Sequence, residues 1–422
     1  MPEEQIIREE IKNKLVKVFE RYGYKPVETS ILDFYDVAAR KYVGGEEILK
    51  EIYRLKDKGN RELCLRYELT FKLAKLIAMN PNVKFPFKRY EIGKVFRDGP
   101  VKAGRLREFT QCDVDCVGIK SFVIDAELIA LAFDAFSSLG LDVFVKVNNR
   151  KLLFSIFKEC KLKNNQFVDA ALSLDKIEKI GKENVKKELE SKGIERKKIE
   201  KIFSLLEEIE KEKGNEKRIA VVKEKLKSKE ALEAINELND FLGFCKLFVP
   251  NKTKDVVFEP FLARGLAYYT SLMFEFYLKK SKIKGSVAAG GRYDGLINRF
   301  MKSDREIAST GISFGLDTIY EALKEKSFKS ERKIPKVLVI PINALEKAIF
   351  VLNELRKKVE ADIILEKSLK KALDFANKKD IPFVVFVGKK ELKEGKFKLR
   401  NMETGKETLL SLNELLSFFD KQ

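Results

Sequence analysis

The sequence predicts an α+β domain that is interrupted by a helical insertion and followed by a small C-terminal α/β domain. Two β-type segments flank a basic loop between residues 90 and 118, and apolar residues recur at helical spacing from about 162 to 246. Strand and helix patterns alternate after residue 334. The 422 residues suffice for roughly two to four domains.

The charge balance is strongly basic. Lys and Arg number 84 against 65 Asp and Glu, a net charge of +19, which favours an acidic partner such as nucleic acid. A Lys/Glu-rich surface of the kind found in heat-adapted proteins gives a similar composition. The two interpretations are compatible, and the composition leaves both open.

Cysteine and histidine usage restricts the chemistry. The 5 cysteines show no secreted framework, and the alternation of Cys112 and Cys116 on an apolar strand face favours buried thiols over half a zinc site. Histidine is absent, which excludes His-based triads, imidazole bases and Cys/His zinc sites. The sequence opens without a signal peptide and has no apolar run of membrane length. We therefore expect a cytoplasmic protein that uses neither zinc nor a membrane.

The region before the basic loop predicts a helix over residues 5–22, a strand and turn over 26–34, and a hairpin around residues 57–60. A strand then enters a helix, and Glu68 and Thr70 stand at this junction. Side chains at such a junction often cap the helix. The competing interpretation is a site that faces a ligand amine.

The basic loop joins two predicted strands. On the second strand Asp113 and Asp115 share one face with an amide, because side chains alternate along a strand. Carboxylates lose their water at high cost unless they are paired, so this face is either solvated or the polar floor of a pocket. We favour the pocket, with Arg97 and Arg105 at its mouth and suited to phosphate.

β character returns near residue 256, after a Lys/Glu-rich and proline-free stretch that predicts a helical insertion over 162–246. Its charges indicate a solvated helix surface, and contact with nucleic acid is the alternative. Two dense clusters follow. Residues 261–270 contain Arg264, and residues 288–295 contain paired glycines that allow a ligand to approach the backbone closely.

The C-terminal region begins after a polar linker at residues 327–333. Strands at 337–340, 363–365 and 383–387 alternate with two helices, and a further strand covers 396–400. This pattern predicts a compact α/β domain with parallel crossovers.

Several segments carry a resemblance to a known family. ARGLAYYT at 263–270 and AAGGRYDGL at 288–296, which follow the central hairpin in order, are similar to the two signature segments of histidyl-tRNA synthetase. The wider order of motifs resembles class II aminoacyl-tRNA synthetases over nearly the whole chain. EFTQCDVDCVG at 108–118 resembles the archaeal and eukaryotic branch.

The resemblance implies a fold, an assembly and an activity. It implies an α+β catalytic domain with the antiparallel class II synthetase sheet at 1–161 and 247–326, a helical insertion domain at 162–246, and a C-terminal α/β anticodon-binding domain at 334–422. It also implies a homodimer that ligates L-histidine to tRNA(His) through a histidyl-adenylate, using ATP with Mg²⁺. The magnesium ligands are not indicated.

The resemblance also implies the roles of particular residues. Arg97 and Arg264 would be catalytic, flanking the ATP α-phosphate and contacting the carboxylate of histidine. Arg105, Gly290 and Gly291 would complete the ATP contacts. The other histidine-binding residues would be Glu68, Leu69 and Thr70 near the ammonium group, with Gln111, Asp115, Tyr268, Tyr269 and Tyr293 around the rest of the amino acid.

Four positions depart from the family pattern. Thr318 stands where the class usually has an arginine that grips the γ-phosphate, and Gly99 stands where a glutamate is usual. Ser30 replaces the proline of the dimer-interface motif, and Ala267 replaces an aspartate. The N-terminus also lacks the loop that usually precedes the first helix.

Two rival interpretations stay open. Synthetase-like regulatory subunits and sensor domains share this catalytic fold without aminoacylating tRNA. The Arg97/Arg264 pair and the C-terminal domain argue against them, whereas Thr318 argues for them. A class II synthetase for another amino acid is the second rival, and Asp115 with the paired tyrosines disfavours it.

Overall fold

The structure is a computed structural model. The structure describes residues 1–41, 46–101, 106–265, 268–301, 306–328, 330, 334–366, 368–389 and 394–420. The chain divides into two compact units, Met1–Phe328 and Lys329–Gln422.

The first unit contains both the predicted sheet domain and the predicted insertion. Its strands are β1 Lys25–Pro26, β2 Leu32–Phe34, β3 Arg54–Lys56, β4 Glu62–Leu65, β5 Phe87–Phe96, β6 Glu108–Val117, β7 Val143–Asn149, β8 Val256–Phe258, β9 Leu272–Leu278, β10 Ala288–Arg292 and β11 Ser309–Gly315. Its helices are α1 Pro2–Arg21, α2 Tyr35–Lys41, α3 Glu46–Glu51, α4 Thr70–Met79, α5 Val123–Ser138, α6 Arg150–Glu159, α7 Phe167–Leu174, α8 Ile177–Ile180, α9 Lys182–Ser191, α10 Arg196–Lys211, α11 Asn215–Lys225, α12 Lys229–Phe248 and α13 Leu316–Glu325.

The main sheet has the strand order β1-β5-β6-β11-β10-β9-β7-β8, which makes eight strands within the described residues. The six central strands run antiparallel to their neighbours, whereas β1 and β8 pair in parallel at the two edges. The predicted antiparallel sheet is therefore confirmed, with one short parallel strand added at each edge. The predicted hairpin around residues 57–60 belongs to a second sheet of order β2-β4-β3.

The two faces of β6 separate as the alternation predicts. Cys112, Val114 and Cys116 are buried in the main apolar core, together with residues of α1 and α5. Asp113 and Asp115, on the other face, are each only 2% exposed. The interpretation of this face as a solvated outer surface is therefore wrong, and the carboxylates lie inside the protein.

The predicted insertion is helical from α7 through most of α12. Helix α10 is amphipathic, and its buried side chains include Ile199, Phe203 and Leu206 at helical spacing. Ser228 is the N-cap residue of helix α12, and its side chain accepts a hydrogen bond from the backbone N–H of Ala231. These residues share one continuous core with the main sheet, so the insertion is packed onto the sheet domain.

The second unit has strands β12 Val337–Ile342, β13 Ala361–Ile363, β14 Phe383–Gly388, β15 Lys396–Asn401 and β16 Glu407–Ser411, with helices α14 Leu345–Arg356, α15 Leu369–Lys378 and α16 Leu412–Asp420. Its sheet has the order β13-β12-β14-β15-β16. The first three strands pair in parallel and the last two antiparallel, which confirms the parallel crossovers. Strand β16 was not predicted.

Candidate active site

An open cavity of about 2140 Å³ lies over the polar side of the main sheet. Most of the predicted site residues line it, although they come from distant parts of the sequence. They are Glu68, Thr70, Arg97, Gln111, Asp115, Arg264, Tyr268, Tyr269 and Tyr293.

Arg97 follows the last residue of β5 and lies between two aromatic rings. Its guanidinium carbon is 4.2 Å from the ring centre of Tyr67 and 5.0 Å from that of Phe109. Its Nε also lies 3.4 Å from the backbone oxygen of Tyr67. The side-chain hydroxyl of Tyr67 donates a hydrogen bond to Glu51. Ring contacts of this kind suit a planar guanidinium, and they hold the charge at the cavity wall.

Arg264 precedes β9 and faces the same cavity as Arg97. Its Nη1 donates to Oε1 of Glu275, a residue of β9, and its guanidinium carbon lies 5.6 Å from the ring centre of Tyr269. Its Nε is buried without a hydrogen-bond partner among the described residues. The two predicted catalytic arginines therefore share one cavity.

Glu68 is a buried carboxylate at the junction of β4 and α4. Its Oε2 accepts a hydrogen bond of 2.8 Å from the hydroxyl of Tyr268, while Oε1 has no partner among the described atoms. Burial raises its pKa to about 7, although Tyr268, Arg97 and Arg264 act in the opposite direction. Helix α4 has Leu69 at its N-cap and no side-chain capping bond, so the capping interpretation of Glu68 and Thr70 is wrong.

Asp115 forms the centre of a buried polar group at the cavity floor. Its Oδ1 accepts a 2.6 Å hydrogen bond from Tyr293, and its Oδ2 lies 2.9 Å from Nη2 of Arg89. Burial raises its pKa, and Arg89 opposes that shift. Its neighbour Asp113 has a pKa of about 8, raised first by burial and then by Asp115. Close carboxylates that are both buried compete for ionisation.

Polar and aromatic side chains complete the cavity. Gln111 donates to Ser313 at 2.8 Å, while its Oε1 is buried without a partner among the described residues. The ring centres of Tyr268 and Tyr269 are 5.0 Å apart, and that of Tyr293 is 5.9 Å from Tyr268. Three rings and an unsatisfied amide oxygen can bind a flat ring that carries hydrogen-bond donors.

Three predicted residues are not part of the cavity lining. Leu69 is fully buried, and its backbone oxygen accepts a bond from Arg89. A Cβ at Gly290 would lie 2.1 Å from the backbone oxygen of Gly311, and one at Gly291 would lie 2.4 Å from that of Leu272. Glycine is therefore required at both positions because the neighbouring strands of the sheet leave no room for a side chain.

Two predicted positions lie outside the described residues, Arg105 and Ala267. Thr318 and Gly99, which depart from the family pattern, both line the cavity. Ser30 accepts a hydrogen bond from Lys72, a lysine that also pairs with Asp33.

Sequence reasoning missed Arg89 and Glu275. Arg89 stands directly opposite Asp115 in the β5–β6 hairpin. Pairing the two predicted strands residue by residue, outward from the loop that joins them, would have found this pair. Glu275 lies between Phe274 and Phe276 in a strand that is otherwise apolar and almost wholly buried. An isolated acid in such a strand indicates a buried cationic partner.

The sheet topology and the arginine pair define a class of protein. The solved histidyl-tRNA synthetase of Nostoc sp. PCC 7120 superposes with a TM-score of 0.80 at 25% identity, covering 100% of this chain and 96% of that one. A protein from Bacillus halodurans C described as an ATP phosphoribosyltransferase regulatory subunit/histidyl-tRNA synthetase shares the fold, with a TM-score of 0.70 at 17% identity over 90% of this chain and 92% of that one. The fold is that of a class II aminoacyl-tRNA synthetase.

Sequence comparison narrows the class to a family. The family model described as Histidyl-tRNA synthetase matches residues 1–319, and that described as Anticodon binding domain matches residues 336–422. Histidine--tRNA ligase 1 of Bacillus anthracis is 42% identical over 421 residues, covering 99% of this chain and 97% of that protein. The chain belongs to the histidyl-tRNA synthetase family.

Proposed function

We propose that this protein activates L-histidine with ATP and transfers it to tRNA(His). The observation that carries the proposal is that Arg97 and Arg264 line one cavity whose floor contains Asp115. The two guanidinium groups can bind an anionic phosphate, and the carboxylate at the floor can accept a hydrogen bond from an N–H of the amino-acid side chain. Membership of the family supports the same activity.

The first step needs no general base. The carboxylate of histidine is already anionic, so one of its oxygens forms a bond to the α-phosphorus of ATP. The bond from that phosphorus to the bridging oxygen breaks, and pyrophosphate leaves. Arg97 and Arg264 would align the phosphate and neutralise the charge that develops on it. Because the step requires no general base, a protein without histidine residues can catalyse it.

The amino acid would be recognised by two buried carboxylates. Glu68, with Thr70 and Gln111 nearby in the cavity, would bind the α-ammonium group through charge-assisted hydrogen bonds. Asp115, held by Tyr293, would accept an N–H of the imidazole, and Tyr268 and Tyr269 would enclose the ring. A site built to satisfy buried polar groups rejects amino acids that lack the matching donor.

The remaining ATP contacts are less defined. We keep Arg105 as a contact of the outer phosphates, and Gly290 and Gly291 as part of the backbone beneath the nucleotide. Within the described residues no group of three or more Asp, Glu, Cys or His side chains could hold a metal ion. Magnesium usually needs only one or two carboxylates beside the phosphates, so an ion that enters with ATP fits this site. The expectation that zinc is not used stays a prediction.

The second step transfers the histidyl group to tRNA. A ribose hydroxyl at the 3′ end attacks the carbonyl carbon, the bond to the adenylate oxygen breaks, and the leaving phosphate can take the proton. The C-terminal unit would bind the anticodon, in line with its match over residues 336–422. The net charge of +19 suits a polyanionic partner. We retain 162–246 as the helical insertion domain and 334–422 as the anticodon-binding domain.

We also propose a homodimer in the cytoplasm. The small β2-β4-β3 sheet exposes Leu32 and Phe34 of β2 at 47% and 46%. Ile31, just before β2, is exposed at 42%, and Leu55 of β3, which pairs with the same residue of β4 as Phe34 does, at 36%. Adjacent exposed apolar side chains indicate an interface. All 5 cysteines are free and buried, as expected in a reducing compartment. Within the described part of the chain, no helix has the length and apolarity to cross a membrane.

The rivals are distinguished by activity. A regulatory subunit with this fold would bind ligand without making an adenylate, and a synthetase for another amino acid would respond to that amino acid. The assignment to the archaeal and eukaryotic branch stays a prediction, and the relative named above is bacterial.

Exchange of pyrophosphate into ATP tests the proposal. With purified full-length protein we expect exchange that depends on L-histidine, with each of the other amino acids as a control. Exchange with a different amino acid would replace the substrate, and no exchange with any would favour the regulatory rival.

A further inference from the structure

The segment that leads to Arg264 is packed between the sheet and the helical insertion. Phe261 lies against Phe203 of α10, with ring centres 5.8 Å apart, and Nζ of Lys182 in α9 lies 4.4 Å from the centre of the Phe261 ring. On the sheet side, Asn148 donates its amide to the backbone oxygen of Leu262 at 2.8 Å. The backbone before Arg264 is therefore fixed from two sides.

Asp175, immediately after helix α7 of the insertion, approaches the next residue, Gly265. A Cβ placed on Gly265 would lie 2.9 Å from Oδ2 of Asp175, so the Asp175 carboxylate would have to move to make room for it. The Asp175 carboxylate therefore lies directly against the backbone of Gly265. Burial raises the pKa of this carboxyl, and the charge of Arg264 opposes that shift. Asp175 thus contacts the backbone of residues 261–265, which we call the arginine loop, and its charge interacts with the guanidinium of Arg264.

A second contact from the insertion reaches the other side of Arg264. Glu178 of α8 pairs with Lys146 at 2.5 Å, and Nζ of Lys146 lies 4.9 Å from the ring centre of Tyr277. Tyr277 donates to Oε2 of Glu275, whose Oε1 binds Arg264. One short stretch of the insertion, residues 175–178, therefore supports both the backbone of the arginine loop and its carboxylate partner.

We propose that Asp175 is a positioning residue that holds Arg264 in place, so that the helical insertion sets the geometry of the catalytic guanidinium. The inference rests on the proposed function. An arginine side chain has several rotatable bonds, and a displacement of about 1 Å at a reacting group costs on the order of 100-fold in rate. A contact that fixes the backbone at Gly265 fixes the point from which this side chain extends, and the bond to Glu275 then orients the guanidinium.

The test compares three variants of the full chain in histidine-dependent pyrophosphate exchange. Asp175→Asn and Asp175→Ala should lower kcat by about 10- to 100-fold, with the KM for histidine changed by less than about threefold. Asp169→Asn is the matched control, because Asp169 is exposed on the same helix α7, and it should leave both constants unchanged. Equal kinetics in Asp175→Ala and Asp169→Asn would overturn the proposal.

A double-mutant cycle separates positioning from general destabilisation. Gly265→Ala adds a methyl group that displaces the Asp175 carboxylate from the loop, so it should lower kcat when Asp175 is present. In the Asp175→Ala background the same methyl group has room, and the double variant should be no slower than Asp175→Ala alone. Independent, multiplying losses would mean that Asp175 does not act through this loop.

Amide hydrogen exchange gives a readout that does not depend on activity. In Asp175→Ala, which removes the contact with Gly265, the peptide covering residues 259–265 should exchange faster than in the unmodified protein, while peptides of β5 and β6 stay protected. Unchanged protection of residues 259–265 would overturn the anchor. If the unmodified protein showed no histidine-dependent exchange of pyrophosphate, the proposed function would fail, whereas the hydrogen-exchange result would still decide whether Asp175 anchors the loop.

Discussion

The hydroxyl of Tyr268 donates a 2.8 Å hydrogen bond to Glu68, a residue 200 positions earlier in the chain. The bond ties the start of helix α4 to the loop that follows Arg264. It satisfies one oxygen of a carboxylate that is 3% exposed, and the other oxygen has no partner among the described atoms. A buried acceptor left open in this way is a place for a ligand donor.

The pKa of Glu68, raised by burial to about 7, predicts a pH-dependent affinity for histidine. An ammonium group binds the ionised carboxylate, so histidine affinity should fall by up to about tenfold for each pH unit below 7. For unfolding the sign is opposite, because a carboxyl with a raised folded pKa stabilises the fold more as the pH falls towards its ordinary value of 4.5. Isothermal titration of histidine between about pH 6 and 8 measures the first effect.

The control for this prediction is Glu68→Gln. The imidazole of free histidine titrates in the same range, and burial also raises the pKa of Asp113, so the unmodified protein alone cannot assign the effect. The amide variant keeps both of these groups and removes only the Glu68 proton. A pH profile of affinity that is the same in both proteins would contradict the assignment of the ammonium site to Glu68.

Removing the guanidinium of Arg264 should abolish activation. Arg264→Ala is expected to lower pyrophosphate exchange by about 10³-fold or more, the usual effect of deleting an arginine that stabilises a transferring phosphoryl group. Arg264→Lys should also lose most of the activity, because an ammonium group cannot reproduce the planar fork. The lysine variant keeps a positive charge beside Glu275, which protects the fold.

A surface arginine provides the comparison. Arg196→Ala, in the insertion, removes a side chain that is 76% exposed and should leave exchange unchanged. Melting curves of all three variants check folding. A folded Arg264→Ala protein with a near-normal exchange rate would refute the mechanism.

Asp115 should determine the histidine requirement rather than the use of ATP. Asp115→Asn removes the charge while keeping the shape, so the KM for histidine should rise by about 10- to 100-fold, the value of one hydrogen bond to a charged group. Tyr293→Phe, which removes the 2.6 Å bond to Asp115, should have a smaller effect of the same kind. Pyrophosphate exchange at varied concentrations of histidine and of ATP measures the KM for each substrate. Equal losses for both substrates would show that Asp115 is structural, through its pair with Arg89.

Arg292, within the AAGGRYDGL segment, has a structural role that predicts a stability effect. Its guanidinium is 2% exposed and pairs with Asp125 of helix α5, which also accepts a 2.8 Å bond from Thr310. Asp125→Asn leaves the buried cation without its main partner and should cost about 3 kcal/mol in the free energy of unfolding. Asp134→Asn, at an exposed position of the same helix, should cost less than about 0.5 kcal/mol. Equilibrium unfolding in guanidinium chloride compares Asp125→Asn with Asp134→Asn. Equal stability of the two variants would contradict the prediction.

Local elements were predicted well because they depend on neighbouring residues. Helix α4 begins at Thr70, at the predicted strand-to-helix junction, and the strands β3 and β4 form the predicted hairpin. The parallel strand β13 lies two residues earlier than the predicted 363–365, since a short apolar run fixes a strand's boundary weakly. Strand β16 was missed because its alternation is broken and most of its side chains are exposed.

The sequence by itself determined which residue types carry the chemistry. Alternation on β6 determined that Gln111 and Asp115 share a face. The absence of histidine limited the chemistry to positioning and electrostatics or to carboxylates. Both follow from the chain's local geometry and from its composition, which do not depend on how distant segments pack.

Only the tertiary structure decided which of these residues meet. The strand order β6-β11-β10-β9 brings Asp115 beneath Tyr293, and the cavity over the sheet joins Arg97 to Arg264. It also brings Asp175 of the insertion to Gly265, a contact between segments that no local pattern connects. Such contacts depend on the burial of one shared core, and that burial is a property of the whole chain.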